Sequence, residues 1–269
     1  MFKARLPLLA ALLAFPALAS AVPPTTQDPR AIVEAMESRD TGSSSTLKLG
    51  ITIADKAGRD RTRSVQVRTM EFEGGTRQLI LFEKPADLRN AGFLSIDYSD
   101  GAKADDQWLY LPSLGRTTRI ASADKSGSFM GTDLTYADMT RKDPDAYTYK
   151  MLQQSVMVDG EDCWLIEATP RTEKEKKETG YAKSHLWVSK DKLLALQVKA
   201  WVIEGKRIKY TKLSDLKQVD GVWVAHKVVV RTMRGKELES VSTLVTSDMK
   251  LNAAVKESDF TEQRLERGL

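Results

Sequence analysis

The stretch that decides the fold is residues 108–138, which read WLYLPSLGRTTRIASADKSGSFMGTDLTYAD. It opens with a half-buried aromatic strand that stops at Pro112, and a second short strand is predicted from Arg116 to Ile120. An apolar segment bracketed by glycines begins at Gly127 and leads into a short helix. The stretch holds no nucleophile motif, metal-ligand cluster or phosphate-binding loop. We therefore interpret it as a lid over an apolar cavity.

The chain on both sides of this stretch has the pattern of sequential strands. Leu47, Leu49, Ile51 and Ile53 alternate with polar residues or glycine, which is the period of two of a half-buried strand. Further strand-like runs follow, separated by short turn signals, which are Asp100-Gly101, Asp159-Gly160, Glu204-Gly205 and Asp220-Gly221. These features predict a mainly β protein with about eleven antiparallel strands.

So many antiparallel strands would expose long edges unless the sheet closes or curls strongly. About eight strands suffice for a barrel filled by side chains, so about eleven or twelve predict an interior cavity. Outside the sheet, one short amphipathic helix is predicted to begin with an Asp28 cap and Pro29 and to end near the loop at 42–45. The mixed-charge run 171–179 is predicted to be a solvated loop between strands.

The N-terminus has the pattern of a secretory signal peptide. Lys3 and Arg5 precede an apolar run, and residues 19–21 form a small-x-small cleavage site, so we expect cleavage after Ala21. The apolar run is too short to span a bilayer. Residues 22–269 are then expected to be a single exported domain in the periplasm. Removal of two of the 41 basic residues leaves 39 against 37 acidic ones, which argues against a nucleic-acid partner.

The sequence gives little support to enzyme chemistry. No nucleophile elbow, phosphate-binding loop, dinucleotide fingerprint or zinc-protease motif occurs. The two histidines, His185 and His226, stand alone on separate predicted strands, and the single Cys163 is interpreted as a small buried strand residue. We therefore expect no catalytic residue, no cofactor and no metal.

Three groups of candidate site residues follow from the pattern. The apolar wall of the cavity is predicted to include Phe93, Leu94, Trp108, Tyr110, Trp164 and Trp223, although any one of them could be ordinary core. The lid is predicted to use Phe129, Met130, Asp133 and Tyr136, with Asp133 capping the helix that follows or bonding within the lid. Cations beside the lid that could meet a headgroup or a partner are Arg116, Arg119 and Lys125.

Several of these motifs resemble the LolA-like family of outer-membrane lipoprotein-sorting proteins. The matching elements are Phe-x-x-Pro at Phe82 and Pro85, Gly-Phe-Leu at 92–94, Trp-x-Tyr-x-Pro at 108–112, Arg-Ile at 119–120 and Gly-Ser-Phe-Met-Gly-Thr-Asp at 127–133. A tyrosine and an aspartate follow at 136 and 138, and later matches are Asp-Gly-Val-Trp at 220–223 and Ser-Asp-Phe at 258–260. The resemblance spans nearly all of the expected mature chain.

The resemblance implies a half-open, strongly curved antiparallel β-barrel closed by short helices, with an acyl-binding cavity. It also implies a periplasmic carrier that moves a lipid or an acylated protein between membranes. The implied partner is an inner-membrane exporter of the resistance-nodulation-division type, with transient membrane contact and a monomeric carrier. Two alternatives stay open at this point, a lipid or stress sensor that binds protein partners through the same barrel, and an enzyme on this scaffold.

Overall fold

The computed structural model describes residues 22–101 and 103–269. The predicted signal peptide, residues 1–21, lies outside the described residues. Within the described ranges, no helix is both long enough and apolar enough to cross a membrane.

The described strands form one antiparallel sheet of thirteen strands. In chain order they are β1 (Ser44–Asp55), β2 (Asp60–Phe72), β3 (Gly75–Lys84), β4 (Gly92–Tyr98), β5 (Asp106–Leu111), β6 (Arg116–Arg119), β7 (Tyr147–Val158), β8 (Glu161–Pro170), β9 (Tyr181–Ser189), β10 (Ala195–Val202), β11 (Arg207–Val219), β12 (Val222–Arg234) and β13 (Glu237–Leu251). Across the sheet the order is β6-β5-β4-β3-β2-β1-β13-β12-β11-β10-β9-β8-β7. The prediction of about eleven strands is too low, because even the four-residue β6 pairs with β5.

Short turns join most of these strands, as the Asp-Gly signals predict. Asp159 and Gly160 have φ angles of 50° and 86°, and Asp220 and Gly221 have φ angles of 49° and 81°. Positive φ at both central residues is the conformation of the tight turn that matches the twist of a hairpin. These turns make strands β7 and β8, and β11 and β12, neighbours in the sheet.

The sheet has two edges, β6 and β7, which do not pair with each other. Residues 120–146 connect these edges, and we call them the lid segment. Its regular structure consists of short 3-10 turns, among them Phe129–Gly131 and Tyr136–Met139. The mainly antiparallel β fold with short helices is confirmed, whereas the thirteen described strands do not close into a barrel.

The sheet curls strongly around the lid segment. Gln107 on β5 donates a hydrogen bond from Nε2 to the Tyr136 carbonyl (2.9 Å), and the Tyr181 hydroxyl on β9 donates to Asp138 (2.7 Å). These two strands are nine spacings apart in the sheet order, which is about 43 Å on a flat sheet. Residues 136 and 138 cannot bridge that distance, so the intervening strands must bend around the lid segment.

The predicted N-terminal helix is confirmed as α1 (Pro29–Glu37). The Asp28 carboxylate caps it by accepting a hydrogen bond from the Arg30 amide (2.9 Å). Ile32 and Val33 are buried against residues of β7, β8 and β9. The helix therefore covers the inner face of the sheet near its β7 edge, on the same side as the lid segment.

The prediction of a solvated loop at 171–179 is wrong, because Glu173–Thr179 forms a second helix, α2. Thr172 caps it by accepting a hydrogen bond from the Glu175 amide (3.1 Å), and Gly180 ends it with a φ angle of 78°. The mixed charges suit a helix because oppositely charged residues lie one turn apart along it. A third helix, α3 (Glu262–Arg267), packs on the outer face of the sheet against β3 and β4.

Candidate functional site

Two rows of apolar side chains cross the inner face of strands β1 to β4. One row consists of the register partners Leu47, Val67, Ile80 and Phe93, and the other of Leu49, Val65 and Phe82. We call these rows the apolar rungs. Val65, Phe82 and Phe93 have no exposed side-chain surface. Because side chains alternate between the two faces of a strand, the rungs present a continuous apolar surface to whatever lies inside the curled sheet.

The lid segment inserts an aromatic side chain onto this surface. Phe129 is 3% exposed, and its ring centroid lies 5.2 Å from that of Phe93 and 5.6 Å from that of Tyr136. Both of these contacts are edge-to-face, a favourable geometry for aromatic pairs. Met130 also packs against the cluster. Phe129, Met130 and Tyr136, which the sequence predicts as lid residues, therefore lie together over the apolar rungs.

Asp133, the remaining predicted lid residue, holds the lid segment to the opposite side of the sheet. Its buried carboxylate accepts hydrogen bonds from the hydroxyls of Thr232, Ser240 and Ser242 on β12 and β13. The predicted role as a helix cap is wrong, because Thr135 caps the 3-10 turn by accepting from the Asp138 amide (3.1 Å). The three hydroxyls could not be paired with Asp133 from the sequence, because they lie about a hundred residues away.

Further polar contacts involve Met130 of the lid segment and Tyr181, the partner of Asp138. The Arg63 guanidinium on β2 donates to the Met130 carbonyl, and the Tyr181 hydroxyl lies 3.2 Å from the Lys209 ammonium. Burial raises the pKa of Tyr181 well above its ordinary value and lowers the pKa of Lys209. The hydroxyl is therefore protonated, as its donation to Asp138 requires.

The six residues predicted to form one apolar wall are not brought together. Phe93 lies on the inner face, whereas Leu94, next to it on the same strand, packs on the outer face beneath α3. Trp108 and Tyr110 join that outer cluster. Strand alternation is the reason, since neighbouring residues point to opposite faces.

The two remaining tryptophans lie in other parts of the sheet. Trp164 is fully buried on the inner face in the cluster beneath α1, together with Ile166 and Val188. Trp223 packs in a separate cluster that contains Cys163. On β8, Cys163 and Trp164 are neighbours but belong to clusters on opposite faces, so the run of apolar residues in the sequence could not assign the faces.

The three predicted headgroup cations are also dispersed. Arg116 and Arg119 lie on the exposed edge strand β6, and Arg119 pairs with Asp106. Lys125 is 2% exposed and its ammonium lies 2.8 Å from Glu178 on α2. This lysine joins the lid segment to α2. The sequence does not reveal this ion pair, because Glu178 lies far from Lys125 along the chain.

Two cavities beside the lid segment are lined by charged, polar and apolar residues together. One, of about 320 Å³, lies between the lid segment, α2 and the loop before β5, and is lined by residues such as Lys103, Asp105 and Glu175. The other, of about 400 Å³, lies between the inner face of β1 to β4 and residues 138–141. Asp97 and Arg141 line both cavities. Neither cavity lies directly over the apolar rungs, because Phe129 and its neighbours pack on them.

His185 and Cys163, two reactive side chains among the described residues, both lie within strands of the sheet. Among the described residues, no cluster of three or more His, Cys, Asp or Glu side chains could hold a metal ion. His185 contacts Glu167 (3.0 Å) on the neighbouring strand. Cys163 is fully buried, as the sequence predicts, and burial raises the pKa of its thiol to about 11.

Comparison with known proteins places this architecture in a family. A family model described as "Uncharacterized protein" matches residues 74–267, which is more than half of the chain. An outer membrane lipoprotein-sorting protein domain from Vibrio parahaemolyticus is 29% identical, with a TM-score of 0.80 over 89% of this chain and 98% of that one. A DUF1329 family protein from Desulfovibrio piger is 28% identical, with a TM-score of 0.79 over 91% of this chain and all of that one.

A more distant neighbour shows the same fold. A LolA superfamily protein from Nitrosomonas europaea is 20% identical, with a TM-score of 0.66 over 89% of this chain and all of that one. The search of curated proteins found no match. The open curled sheet with its covering segment thus defines a LolA-like protein. This chain belongs to the family whose model matches residues 74–267, and the LolA-like resemblance that its motifs predict is confirmed.

Proposed function

We propose that this protein is a carrier that binds a lipid or an acylated protein on the apolar rungs, beneath a lid segment that moves aside. The observation that carries this proposal is the position of Phe129, a lid residue buried directly on the apolar rungs. An acyl chain is the kind of ligand that matches such a surface. The similarity to lipoprotein-sorting proteins points in the same direction.

An acyl chain and the lid side chains compete for the apolar rungs, and the free energies that they gain by burial are comparable. A buried acyl chain contributes about 0.8 kcal/mol per CH₂, whereas burial of a Phe side chain contributes about 2 to 3 kcal/mol. A long chain can therefore displace Phe129, Met130 and Tyr136 together. The closed lid lowers the apparent affinity for cargo, because only the open fraction can bind. That competition allows a carrier to release what it has bound.

The backbone of the lid segment supports such movement. Met130 has a φ angle of 50°, in the left-handed region that is unfavourable for a residue with a side chain. Gly131 follows with a φ angle of 74°. The carbonyl between them accepts the hydrogen bond from Arg63. The tip of the lid segment is thus held in a strained conformation by contacts that an opening motion would release.

The remaining parts of the proposal rest on the sequence motifs and the relatives. The signal-peptide pattern of residues 1–21 supports export, and lipoprotein-sorting relatives support a periplasmic location. The proposed carrier is a monomer formed by residues 22–269, acts without catalysis, and receives or delivers its cargo at an inner-membrane exporter of the resistance-nodulation-division type.

Cargo binding is tested directly on protein purified from periplasm without detergent. Native mass spectrometry with lipid extraction should show a bound lipid at near-stoichiometric occupancy, or uptake from added vesicles. A protein that carries no lipid and takes none up from vesicles would contradict the proposed function.

The role of the lid segment is tested with a matched pair of variants. Phe129→Ala should increase the rate of lipid uptake, because it weakens the competitor for the apolar rungs. Phe260→Ala is the control, because Phe260 is as deeply buried (4% against 3% exposed) but packs on the outer face with α3. Equal uptake rates in the two variants would show that Phe129 does not cover the binding surface.

A further inference from the structure

A row of polar side chains crosses the inner face next to the apolar rungs. Ser45, Thr69, Gln78, Ser95 and Gln107 are successive register partners on strands β1 to β5. We call this row the polar rung. Its members lie two residues along each strand from the nearer apolar rung, so they share its face.

The inner face thus changes character in steps along the strands. The apolar rungs are followed by the polar rung, and the next row outward is Glu71, Thr76 and Asp97. The cavity of about 400 Å³ lies at this end, and four members of the polar rung line it, namely Ser45, Thr69, Gln78 and Ser95. An amphipathic molecule with its chain on the apolar rungs would place its polar end in this cavity.

The polar rung holds acceptors without partners. Within the part of the chain that the structure describes, the Oε1 atoms of Gln78 and Gln107 are buried and accept no hydrogen bond. Gln107 is fully buried, and its Nε2 donates to the Tyr136 carbonyl. Buried polar atoms are normally paired, so two unpaired acceptors on one rung call for a donor that the chain itself does not supply.

The charged groups around the cavity also favour a donor. Four carboxyl groups line it, from Glu37, Glu71, Asp97 and Asp138, against two guanidinium groups, from Arg39 and Arg141. Both guanidinium groups already donate to backbone carbonyls, those of Trp223 and Glu37 respectively. The charged groups that line the cavity are therefore mostly acidic, and both basic groups already have acceptors.

From this placement we infer that the 400 Å³ cavity is a headgroup site, and that it selects a headgroup that donates hydrogen bonds through an ammonium or hydroxyl group. This inference rests on the proposed function, since it assigns the polar end of the same cargo. Gln78 is the specificity-determining residue, because it lines the cavity and carries an unpaired Oε1. The sequence contains a signal for this rung, namely a polar residue two positions from an apolar one on each of five successive strands.

The test is a competition between headgroups on identical acyl chains. The full mature protein is incubated with vesicles of equimolar dioleoyl phosphatidylethanolamine, phosphatidylglycerol and phosphatidylcholine, separated from them, and its bound lipid quantified. Phosphatidylcholine has no headgroup donor, so phosphatidylethanolamine or phosphatidylglycerol should be enriched over it by about five-fold, the effect of one hydrogen bond. Which of the two is enriched distinguishes an ammonium from a hydroxyl donor.

A matched pair of substitutions separates the headgroup site from general lipid binding. Gln78→Leu should abolish the enrichment with unchanged total lipid, and it should fold, because it removes an unpaired buried acceptor. Gln66→Leu is the control, since Gln66 lies on the outer face of the neighbouring strand and donates to Glu83 (2.7 Å). Thermal unfolding of both variants verifies the fold.

The possible failures are distinguishable. Lipid bound without headgroup preference, or a preference that persists in Gln78→Leu, would overturn the headgroup site and leave the carrier function standing. No bound lipid of any kind would overturn the proposed function and the headgroup site together.

Discussion

Asp133 and Ser242 form a reciprocal pair of hydrogen bonds across the inside of the sheet. The Asp133 amide donates to Ser242 Oγ (2.9 Å), and the Ser242 hydroxyl donates back to the Asp133 carboxylate (2.6 Å). Both side chains are buried, Asp133 at 5% and Ser242 at 0% exposure. This pair ties the lid segment to β13, at the centre of the thirteen-stranded order.

Asp133→Ala should open the lid segment and destabilise the protein. Three buried hydroxyls would lose their acceptor, and we expect the free energy of unfolding to fall by about 3 kcal/mol. Urea denaturation measures the loss, and hydrogen exchange should show faster exchange of the amides of residues 127–138. The control is Asp124→Ala, because Asp124 lies in the same segment but is exposed. Unchanged protection of these amides in Asp133→Ala would show that the carboxylate does not hold the lid segment.

Phe93→Ala and Leu94→Ala should have different effects on cargo although the residues are neighbours. Both side chains are at most 1% exposed, so each substitution should lower the free energy of unfolding by about 3 kcal/mol. Only Phe93 lies on an apolar rung, so only Phe93→Ala should change the affinity for lipid at a temperature where both variants are folded. Titration with a fluorescent fatty acid measures that affinity. A comparable change in Leu94→Ala would mean that the outer cluster beneath α3 also binds cargo.

Asp97 should make the protein less stable as the pH rises through the range from about 4 to 7. Burial, together with the nearby Asp105 carboxylate, raises the pKa of Asp97 to about 7. In the unfolded chain an aspartate titrates near 3.9, so between these values the folded protein holds a proton that the unfolded chain has lost. The free energy of unfolding therefore falls across this interval and this contribution is level above it.

Asp97→Asn removes that dependence. The free energy of unfolding of the variant, minus that of the natural protein, should therefore be larger at pH 8 than at pH 5. Urea denaturation at both pH values measures this difference. Asp87→Asn serves as the control because Asp87 is exposed in the loop before β4. A constant difference between Asp97→Asn and the natural protein at the two pH values would rule out this titration.

Cys163 should resist thiol reagents in the folded protein. It has no exposed surface, and burial raises the pKa of its thiol to about 11, so very little reactive thiolate is present at pH 8. Labelling with Ellman's reagent should be slow in buffer and complete in urea. Rapid labelling under native conditions would indicate that β8 opens readily.

The strands and their turns could be predicted because they depend on neighbouring residues. Alternation in residues 47–53 and the Asp-Gly turns at 159–160 and 220–221 specify strands and hairpins locally. The helix at 173–179 was not predicted, since its charged residues are compatible with a loop until the Thr172 cap and the Gly180 ending are seen together.

The candidate site, like the fold, could be predicted from the sequence only in part. The sequence shows that residues 127–138 are an apolar, glycine-bracketed segment and that strand residues alternate in polarity. The folded structure was needed to show that Phe93 faces the lid segment while Leu94, Trp108 and Tyr110 face α3. It also brought Asp133 to the hydroxyls of β12 and β13 and aligned Gln78 with Gln107. These features could not be predicted because the face that a strand buries and the partners that it meets depend on register and curvature, which arise from pairings between residues far apart in the chain.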